Sequence, residues 1–81
     1  MPSRETLDQF TDILRDLLAD DDIVLHADTR REMVPKWDSM NYLNFIMALE
    51  MRYGVRFPLS QVESFENVGE IADAVEKRLR K

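Results

Sequence analysis

The sequence predicts an all-α fold, a small four-helix bundle with three main helices, one short helix and a long loop between helices 1 and 2. The chain has 81 residues, a length suited to a single domain, 1–81, with one small hydrophobic core. In three segments the apolar residues recur at offsets of three and four, the spacing of one helix face. Residues that favour helix ends, including Ser3, Asp38 and Gly54, stand at the boundaries of these segments.

The composition excludes several classes of protein. The net charge is −5, which argues against nucleic-acid binding because phosphate contacts depend on clustered lysine and arginine. The chain has no cysteine, so it has no disulfide, no cysteine-based zinc site and no thiol nucleophile. It also has no secretory signal and no apolar run near about 18 residues, the length of a membrane-spanning helix. We expect a cytoplasmic protein without a membrane span.

The first helix is predicted from about Ser3 to Ala19. Ser3 is suited to cap its start, because a serine side chain can accept a hydrogen bond from a free backbone N–H of the first turn. Three consecutive aspartates, residues 20–22, end the helix, since acids at a helix C-terminus oppose its dipole. The apolar face of this helix is predicted to consist of Leu7, Phe10, Leu14, Leu17 and Leu18.

A long loop, residues 20–38, separates the first two helices. Pro35 disfavours helix at the residue before it, and the helical period is absent throughout the segment. Ile23, Val24 and Leu25 are too few for an independent strand, so we expect them to pack onto the core. A connection of this length inside a small domain is unusual and is often functional.

The second helix is predicted to begin at Asp38-Ser39, with Asp38 as its cap, and to run to about Tyr53. Gly54 follows as the expected left-handed residue at the C-terminal end.

Two further helices are predicted after it. Ser60 and Glu63 have the spacing of a capping box for a short helix that ends near Phe65, and Asn67 and Glu70 have the same spacing at the start of the last helix. The apolar face of the last helix is predicted to consist of Val68, Ile71, Ala72, Val75 and Leu79.

The second helix has two apolar faces, where a small bundle normally buries one. At about 100° per residue, two stripes lie nearly opposite each other. Aromatic and branched residues make the better core stripe, which leaves a methionine-rich stripe exposed, and methionine suits adaptable binding surfaces. Two alternatives remain open: a central helix buried all round, or a homo-oligomer that covers the stripe. The core stripe is Tyr42, Phe45, Ile46, Leu49 and Tyr53, and the exposed stripe is Met40, Leu43, Met47 and Met51.

The polar residues show no arrangement typical of a catalytic or metal-binding site. His26 has no partner at helical spacing, so a surface histidine is favoured over a catalytic base. Asp28 and the three aspartates at 20–22 lack the spacing and the glycine of a calcium-binding loop, and we interpret them as solvated charges. No catalytic residue and no metal ligand is predicted. Ser39 remains, an accessible hydroxyl in the first turn of a helix, where unsatisfied backbone N–H groups and the helix dipole favour a phosphate ester.

The order of motifs resembles the acyl carrier protein family over essentially the whole chain. Trp37-Asp38-Ser39-Met40 resembles the Asp-Ser-Leu motif at the start of the second helix of these proteins. The helix that follows, the Gly54-Val55 turn and the segment from Asn67 to Ile71 are similar as well.

The resemblance implies that Ser39 receives 4′-phosphopantetheine from coenzyme A, covalently, and that Asp38 supports the attachment site. It implies a stand-alone monomer without catalytic residues, which carries acyl or aminoacyl groups as thioesters. The implied partners are a phosphopantetheinyl transferase, a ligase or transferase that loads the cargo, and enzymes of fatty acid, polyketide or other specialised biosynthesis. The face that these partners read is implied to consist of Met40, Leu43, Met47, Glu50 and Met51.

Several residues depart from the family pattern. Pro35-Lys36-Trp37 replaces the small residues usual before Asp-Ser, and Glu50 is nearly alone where family members carry several acids, so apolar contacts should carry more of the partner affinity. Bulky side chains in the cargo space favour short or polar cargo; these are Tyr42, Phe45, Tyr53 and Phe65. The alternative function is a small helical adaptor that binds partners non-covalently through Met40, Leu43, Met47 and Met51.

Overall fold

The computed structural model describes residues 3–79, and this part of the chain folds as four α-helices without a strand. The predicted all-α bundle of three long helices and one short helix is confirmed. A short 3-10 helix, which the sequence did not predict, lies in the long first loop. The elements are α1 (Arg4–Leu18), the 3-10 helix (Arg31–Met33), α2 (Ser39–Tyr53), α3 (Leu59–Ser64) and α4 (Val68–Leu79). Within residues 3–79 no helix is both long and apolar enough to cross a membrane.

The ends of α1 and α2 follow the sequence prediction. The Ser3 side chain accepts from the backbone N–H of Thr6, and the Asp38 carboxylate accepts from the backbone N–H of Asn41. Gly54 ends α2 with a φ of 67°, in the left-handed region that favours glycine. Ala19 ends α1 in the same conformation, with a φ of 53°.

The predicted capping boxes of α3 and α4 are only partly correct. Helix α3 begins after Pro58, without a side-chain cap, and Ser60 lies inside the helix. Proline fixes its own φ near the helical value, so it can begin a helix without a capping hydroxyl. At α4 the side chain of Asn67 does accept from Glu70 N, but the Glu70 carboxylate accepts from Glu66 N, one residue before the expected donor.

The core lies where α1, α2 and α4 meet. The Phe10 ring of α1 packs edge-on against Phe45 of α2, with ring centroids 5.7 Å apart, and also contacts Tyr53. Residues Val68, Ile71, Ala72 and Val75 of the predicted α4 face are buried, whereas Leu79 is not. Leu17 of the predicted α1 face is partly exposed, and Thr11 is buried instead.

Thr11 is buried because it connects α1 to the long loop. Its hydroxyl donates to the backbone oxygen of Leu7 and accepts from the backbone N–H of Leu25. Ile23 and Leu25 pack onto the core as predicted, whereas Val24, between them, points to solvent. The loop is therefore ordered by specific hydrogen bonds and by two buried side chains.

The same loop also binds the start of α4. The backbone N–H groups of Val68 and Gly69 donate to the backbone oxygens of Thr29 and Ala27, at 2.8 and 2.7 Å. Two N–H groups that a helix N-terminus leaves unsatisfied are thus paired by the loop. This contact holds the loop against the start of α4, and Thr29 lines the cavity described next.

Candidate functional site

Ser39 lies at the N-terminus of α2, at the position predicted for an accessible hydroxyl. Its side chain is exposed, and among residues 3–79 its hydroxyl has no hydrogen-bond partner. Asp38, immediately before it, caps the helix through Asn41 N at 2.9 Å. The site therefore presents a free hydroxyl on a rigid helix end, beside backbone N–H groups that attract negative charge.

The turn before Ser39 directs Trp37 into the core and leaves Asp38 and Ser39 at the surface. Lys36 has a φ of 72°, and its backbone oxygen accepts from the side chain of Asn41. After this left-handed residue Trp37 enters the core, where it is 4% exposed, while Asp38 and Ser39 remain at the surface. The indole packs edge-on against Phe45, at 5.3 Å between ring centroids.

A cavity of about 500 Å³ opens beside Ser39. It lies between the long loop, the first half of α2, α3 and the start of α4. Its apolar lining consists of Trp37, Tyr42, Leu43, Val62, Phe65, Val68 and Ile71, and its polar lining of Thr29, Arg30, Arg31, Glu32, Ser39, Glu63, Glu66 and Asn67.

The cavity corrects the expectation that four aromatic side chains fill the cargo space. Tyr42 and Phe65 do line the cavity, but open volume remains between them. Phe45 is fully buried in the core, and Tyr53 packs against Phe10 and donates to the side chain of Gln9.

Tyr42 connects α2 to α3 at the edge of this cavity. Its hydroxyl donates to the backbone oxygen of Val62 at 2.6 Å. Burial raises the pKa of the Tyr42 phenol above its ordinary value of 10.0, and Arg31, whose guanidinium lies 5.0 Å from the centre of the Tyr42 ring, opposes part of that shift. The neutral phenol thus serves as a structural donor.

The methionine-rich stripe of α2 is exposed, as predicted, and the interpretation of α2 as a helix buried all round is wrong. The opposite stripe is the buried one, with Phe45 and Leu49 fully inaccessible. The exposed fractions are 73% for Met40, 44% for Leu43, 58% for Met47 and 85% for Met51.

Glu50 lies at the edge of this stripe and is only half-exposed. Its carboxylate accepts from the backbone N–H of Phe57 at 2.8 Å, which ties the end of α2 to the segment before α3. The exposed stripe of α2 itself carries no charge.

The other polar residues considered from the sequence do not assemble a site. His26 and Asp28 are exposed in the loop. Within residues 3–79, no group of three or more histidine, aspartate or glutamate side chains is placed to hold a metal ion.

Comparison with known proteins agrees with this geometry. Residues 8–75 match the family model described as Phosphopantetheine attachment site. A solution structure of a holo acyl carrier protein from Geobacter metallireducens is 40% identical, with a TM-score of 0.84, over 91% of this chain and 85% of that one. The chain belongs to the acyl carrier protein family. No curated protein sequence matches the chain.

Acyl carrier proteins are carriers and not enzymes, and they bind 4′-phosphopantetheine covalently. The residues present fit this group, because a covalent phosphate ester needs an accessible hydroxyl, and Ser39 provides one at a helix N-terminus. As family members, such carriers interact with transferases and biosynthetic enzymes.

The sequence did not assign functions to two residues near Ser39. Trp37 was noted only as part of a motif, yet it lines the cavity next to Ser39, and Arg31 contacts Tyr42 from the long loop. A single tryptophan two residues before the candidate serine was the available signal for the first. No sequence signal indicated Arg31, because its contact with Tyr42 depends on the conformation of the long loop.

Proposed function

We propose that Ser39 is the attachment residue of this acyl carrier protein and that residues 1–81 act as one carrier domain. The single observation that supports this is the exposed, unpartnered Ser39 hydroxyl at the mouth of a cavity. The Ser39 oxygen forms a bond to the phosphorus of the pantetheine phosphate of coenzyme A. The phosphoanhydride bond breaks, 3′,5′-ADP leaves, and the hydroxyl proton passes to solvent through the transferase.

The residues around Ser39 have supporting tasks in this proposal. Asp38 caps the start of α2 by accepting from the backbone N–H of Asn41, which fixes the backbone that carries Ser39. The first-turn N–H groups and the helix dipole stabilise the negative charge of the phosphodiester. When bound, the prosthetic group supplies a thiol that carries acyl or aminoacyl cargo as a thioester. The absence of cysteine from the chain leaves that thiol without a competitor.

The proposed partner surface is the exposed stripe of α2. Met40, Leu43 and Met47 follow Ser39 at helical spacing, so a transferase that reaches the Ser39 hydroxyl meets these side chains. The uncharged stripe favours apolar contact over charge pairing, and Glu50 contributes at its edge. The partners are a phosphopantetheinyl transferase, a loading ligase or transferase, and enzymes of fatty acid, polyketide or other specialised biosynthesis. The cytoplasmic location and the monomeric state stay predictions.

The preference for cargo is the finer part of this proposal. The cavity has polar side chains on the loop and on α3, which favours short or polar acyl groups over long hydrocarbon chains, whose transfer from water is favourable only onto apolar surface.

A non-covalent adaptor is the second candidate, because the same exposed methionine stripe could bind a partner helix. An adaptor would act through Met40, Leu43, Met47 and Met51 and would not need the Ser39 hydroxyl. Only the carrier function requires the Ser39 hydroxyl oxygen, so removal of that atom distinguishes the two functions.

The test is intact mass after incubation with coenzyme A, magnesium and a promiscuous phosphopantetheinyl transferase. The wild-type chain and Ser60→Ala should each gain one phosphopantetheine, whereas Ser39→Ala should gain none. Ser60 is the matched control because it is an exposed serine in the first turn of α3. Circular dichroism should show the same helical content in all three proteins. Modification of Ser39→Ala would contradict the assignment. So would a wild-type chain that neither this enzyme nor the host's own transferase modifies.

A further inference from the structure

The turn before Ser39 contains a residue in an unfavourable backbone conformation. Among residues 3–79, two residues other than glycine have a positive φ, Ala19 and Lys36. Ala19 ends α1, where a left-handed residue is common. Lys36, with a φ of 72°, does not end a helix. A non-glycine residue in this region costs free energy, so the conformation persists only where the surrounding structure fixes it.

This turn has a form that normally contains glycine. The backbone N–H of Trp37 donates to the backbone oxygen of Val34 at 3.2 Å, which closes a four-residue turn with Pro35 and Lys36 in its two central positions. Proline in the first central position and a positive φ in the second are typical of a type II turn, whose second central residue is usually glycine. Because lysine occupies this position, the turn needs support from another part of the chain.

Asn41, in the first turn of α2, supplies that support. Its side-chain amide donates from Nδ2 to the backbone oxygen of Lys36 at 2.9 Å, and its backbone N–H donates to the Asp38 carboxylate, also at 2.9 Å. The backbone bond is available to any residue at position 41 except proline. The side-chain bond needs a donor of this length, so the amide is the part of Asn41 that is specific to the turn.

We propose that Asn41 is a positioning residue for the modification of Ser39, because its side-chain amide holds the turn at Lys36 that leads into Asp38 and Ser39. The inference rests on the proposed attachment at Ser39. Without the amide bond the turn samples other conformations, and only a fraction of the molecules presents the serine correctly. A transferase that binds this fraction alone has its apparent affinity lowered in proportion, while the bound complex reacts as before. Loss of the amide should therefore raise KM and leave kcat unchanged.

The test measures the steady-state kinetics of phosphopantetheinyl transfer to the full chain, with coenzyme A saturating. Asn41→Ala removes the amide but keeps the backbone N–H that donates to Asp38, and alanine favours helix. The KM for the carrier should rise by roughly two- to tenfold, the effect of one hydrogen bond, with kcat within about twofold of the wild type. Asn44→Ala is the matched control, because it removes an exposed asparagine of the same helix; it should leave KM unchanged.

The Lys36→Gly variant separates positioning from direct contact with the transferase. Glycine adopts a positive φ without the cost that lysine has, so the turn of this variant no longer needs the amide. Adding Asn41→Ala to Lys36→Gly should therefore change KM by less than about twofold. An Asn41 side chain that contacted the transferase itself would raise KM equally when removed from either background.

A second measurement needs no transferase. The backbone N–H of Trp37 closes the turn, so its exchange with solvent reports how often the turn opens. This exchange should be roughly two- to tenfold faster in Asn41→Ala than in the wild type, because one hydrogen bond no longer holds the turn. Asn44→Ala should leave the exchange rate unchanged.

The outcomes separate the two proposals. A wild-type chain that gains no phosphopantetheine would refute attachment at Ser39, and the exchange of the Trp37 N–H would still test whether Asn41 holds the turn. An unchanged KM in Asn41→Ala, a fall in kcat in place of the rise in KM, or an equal rise in the Lys36→Gly background would each overturn the role of Asn41 and leave the carrier function intact. If Asn41→Ala does not fold by circular dichroism, Asn41→Asp, which keeps the side-chain shape without a donor, takes its place with the same expected results.

Discussion

Gly69 makes the closest contact between the long loop and α4. Its backbone N–H donates to Ala27 O at 2.7 Å. A Cβ atom added at this position would lie 2.6 Å from the same oxygen, closer than real Cβ atoms approach a backbone atom. The residue is a glycine because the loop backbone occupies the space that any side chain would need.

Gly69→Ala should therefore destabilise the protein by about 1–3 kcal/mol, through forced movement of the loop. The direction of the change in stability is informative, because a glycine-to-alanine substitution within a helix ordinarily stabilises a protein by about 0.5–1 kcal/mol. Urea unfolding followed by circular dichroism measures the change. Gly54→Ala serves for comparison: there a Cβ meets nothing within 4 Å and the cost comes only from the φ of 67°. Stabilisation by Gly69→Ala would contradict the contact.

The raised pKa of Tyr42 leads to a prediction about the stability of the fold at alkaline pH. Burial raises the pKa of the Tyr42 phenol above 10.0 in the folded protein, whereas the phenol of the unfolded chain ionises near about 10. Above that pH the unfolded state loses its proton first. The contribution of Tyr42 to stability is thus fully present below about pH 10 and is lost as the pH rises through the folded pKa.

Urea midpoints between about pH 8 and about pH 11 should fall less steeply for Tyr42→Phe than for the wild type. The other titratable groups are the same in both proteins, so the difference between the two slopes isolates the Tyr42 phenol. Part of the slope should remain in the variant, because burial raises the pKa of Tyr53 as well. Identical slopes in the two proteins would show that ionisation of Tyr42 is not linked to folding.

The helix ends show which elements a sequence can predict. Asp38 and Gly54 act within one turn of their own positions, so the limits of α2 were predictable from local residues alone. The Ser60 pattern was wrong because α3 already begins at Leu59, directly after Pro58. Two local signals were present here, the capping pattern of Ser60 and the fixed φ of Pro58. The start of the helix follows the proline.

The two faces of α2 were predictable for a similar reason. A helix of fixed period places Phe45 and Met47 on different sides whatever surrounds it. The choice of the buried face followed from side-chain type, since aromatic and branched residues pack in defined rotamers. The order in the long loop was not predictable, because it depends on hydrogen bonds to Thr11 and Gly69, distant in sequence.

The complete site depends on the arrangement of the whole molecule. The position of Ser39 could be predicted from its helix, but the cavity beside it requires the loop, α2, α3 and α4 to meet. No local pattern encodes that volume.

The distribution of charge over the molecule leads to a prediction about its partners. The chain has a net charge of −5, yet the exposed stripe of α2 is uncharged, and Glu50 at its edge is already hydrogen-bonded to Phe57 N. Partner recognition through this stripe should depend on apolar contact, which salt affects little, and not on charge pairing, which salt screens.

Met47→Glu should therefore lower the kcat/KM of phosphopantetheinyl transfer by roughly tenfold, because a carboxylate in an apolar interface must lose its water without a partner. The fold should persist, since Met47 is 58% exposed. Leu79→Glu, an exposed leucine at the end of α4, should leave the rate unchanged. Strong inhibition of the wild-type reaction by salt would contradict apolar recognition. A sedimentation coefficient that falls in Met47→Glu would instead show that a second copy covers the stripe, because the predicted monomer has no interface for glutamate to disrupt.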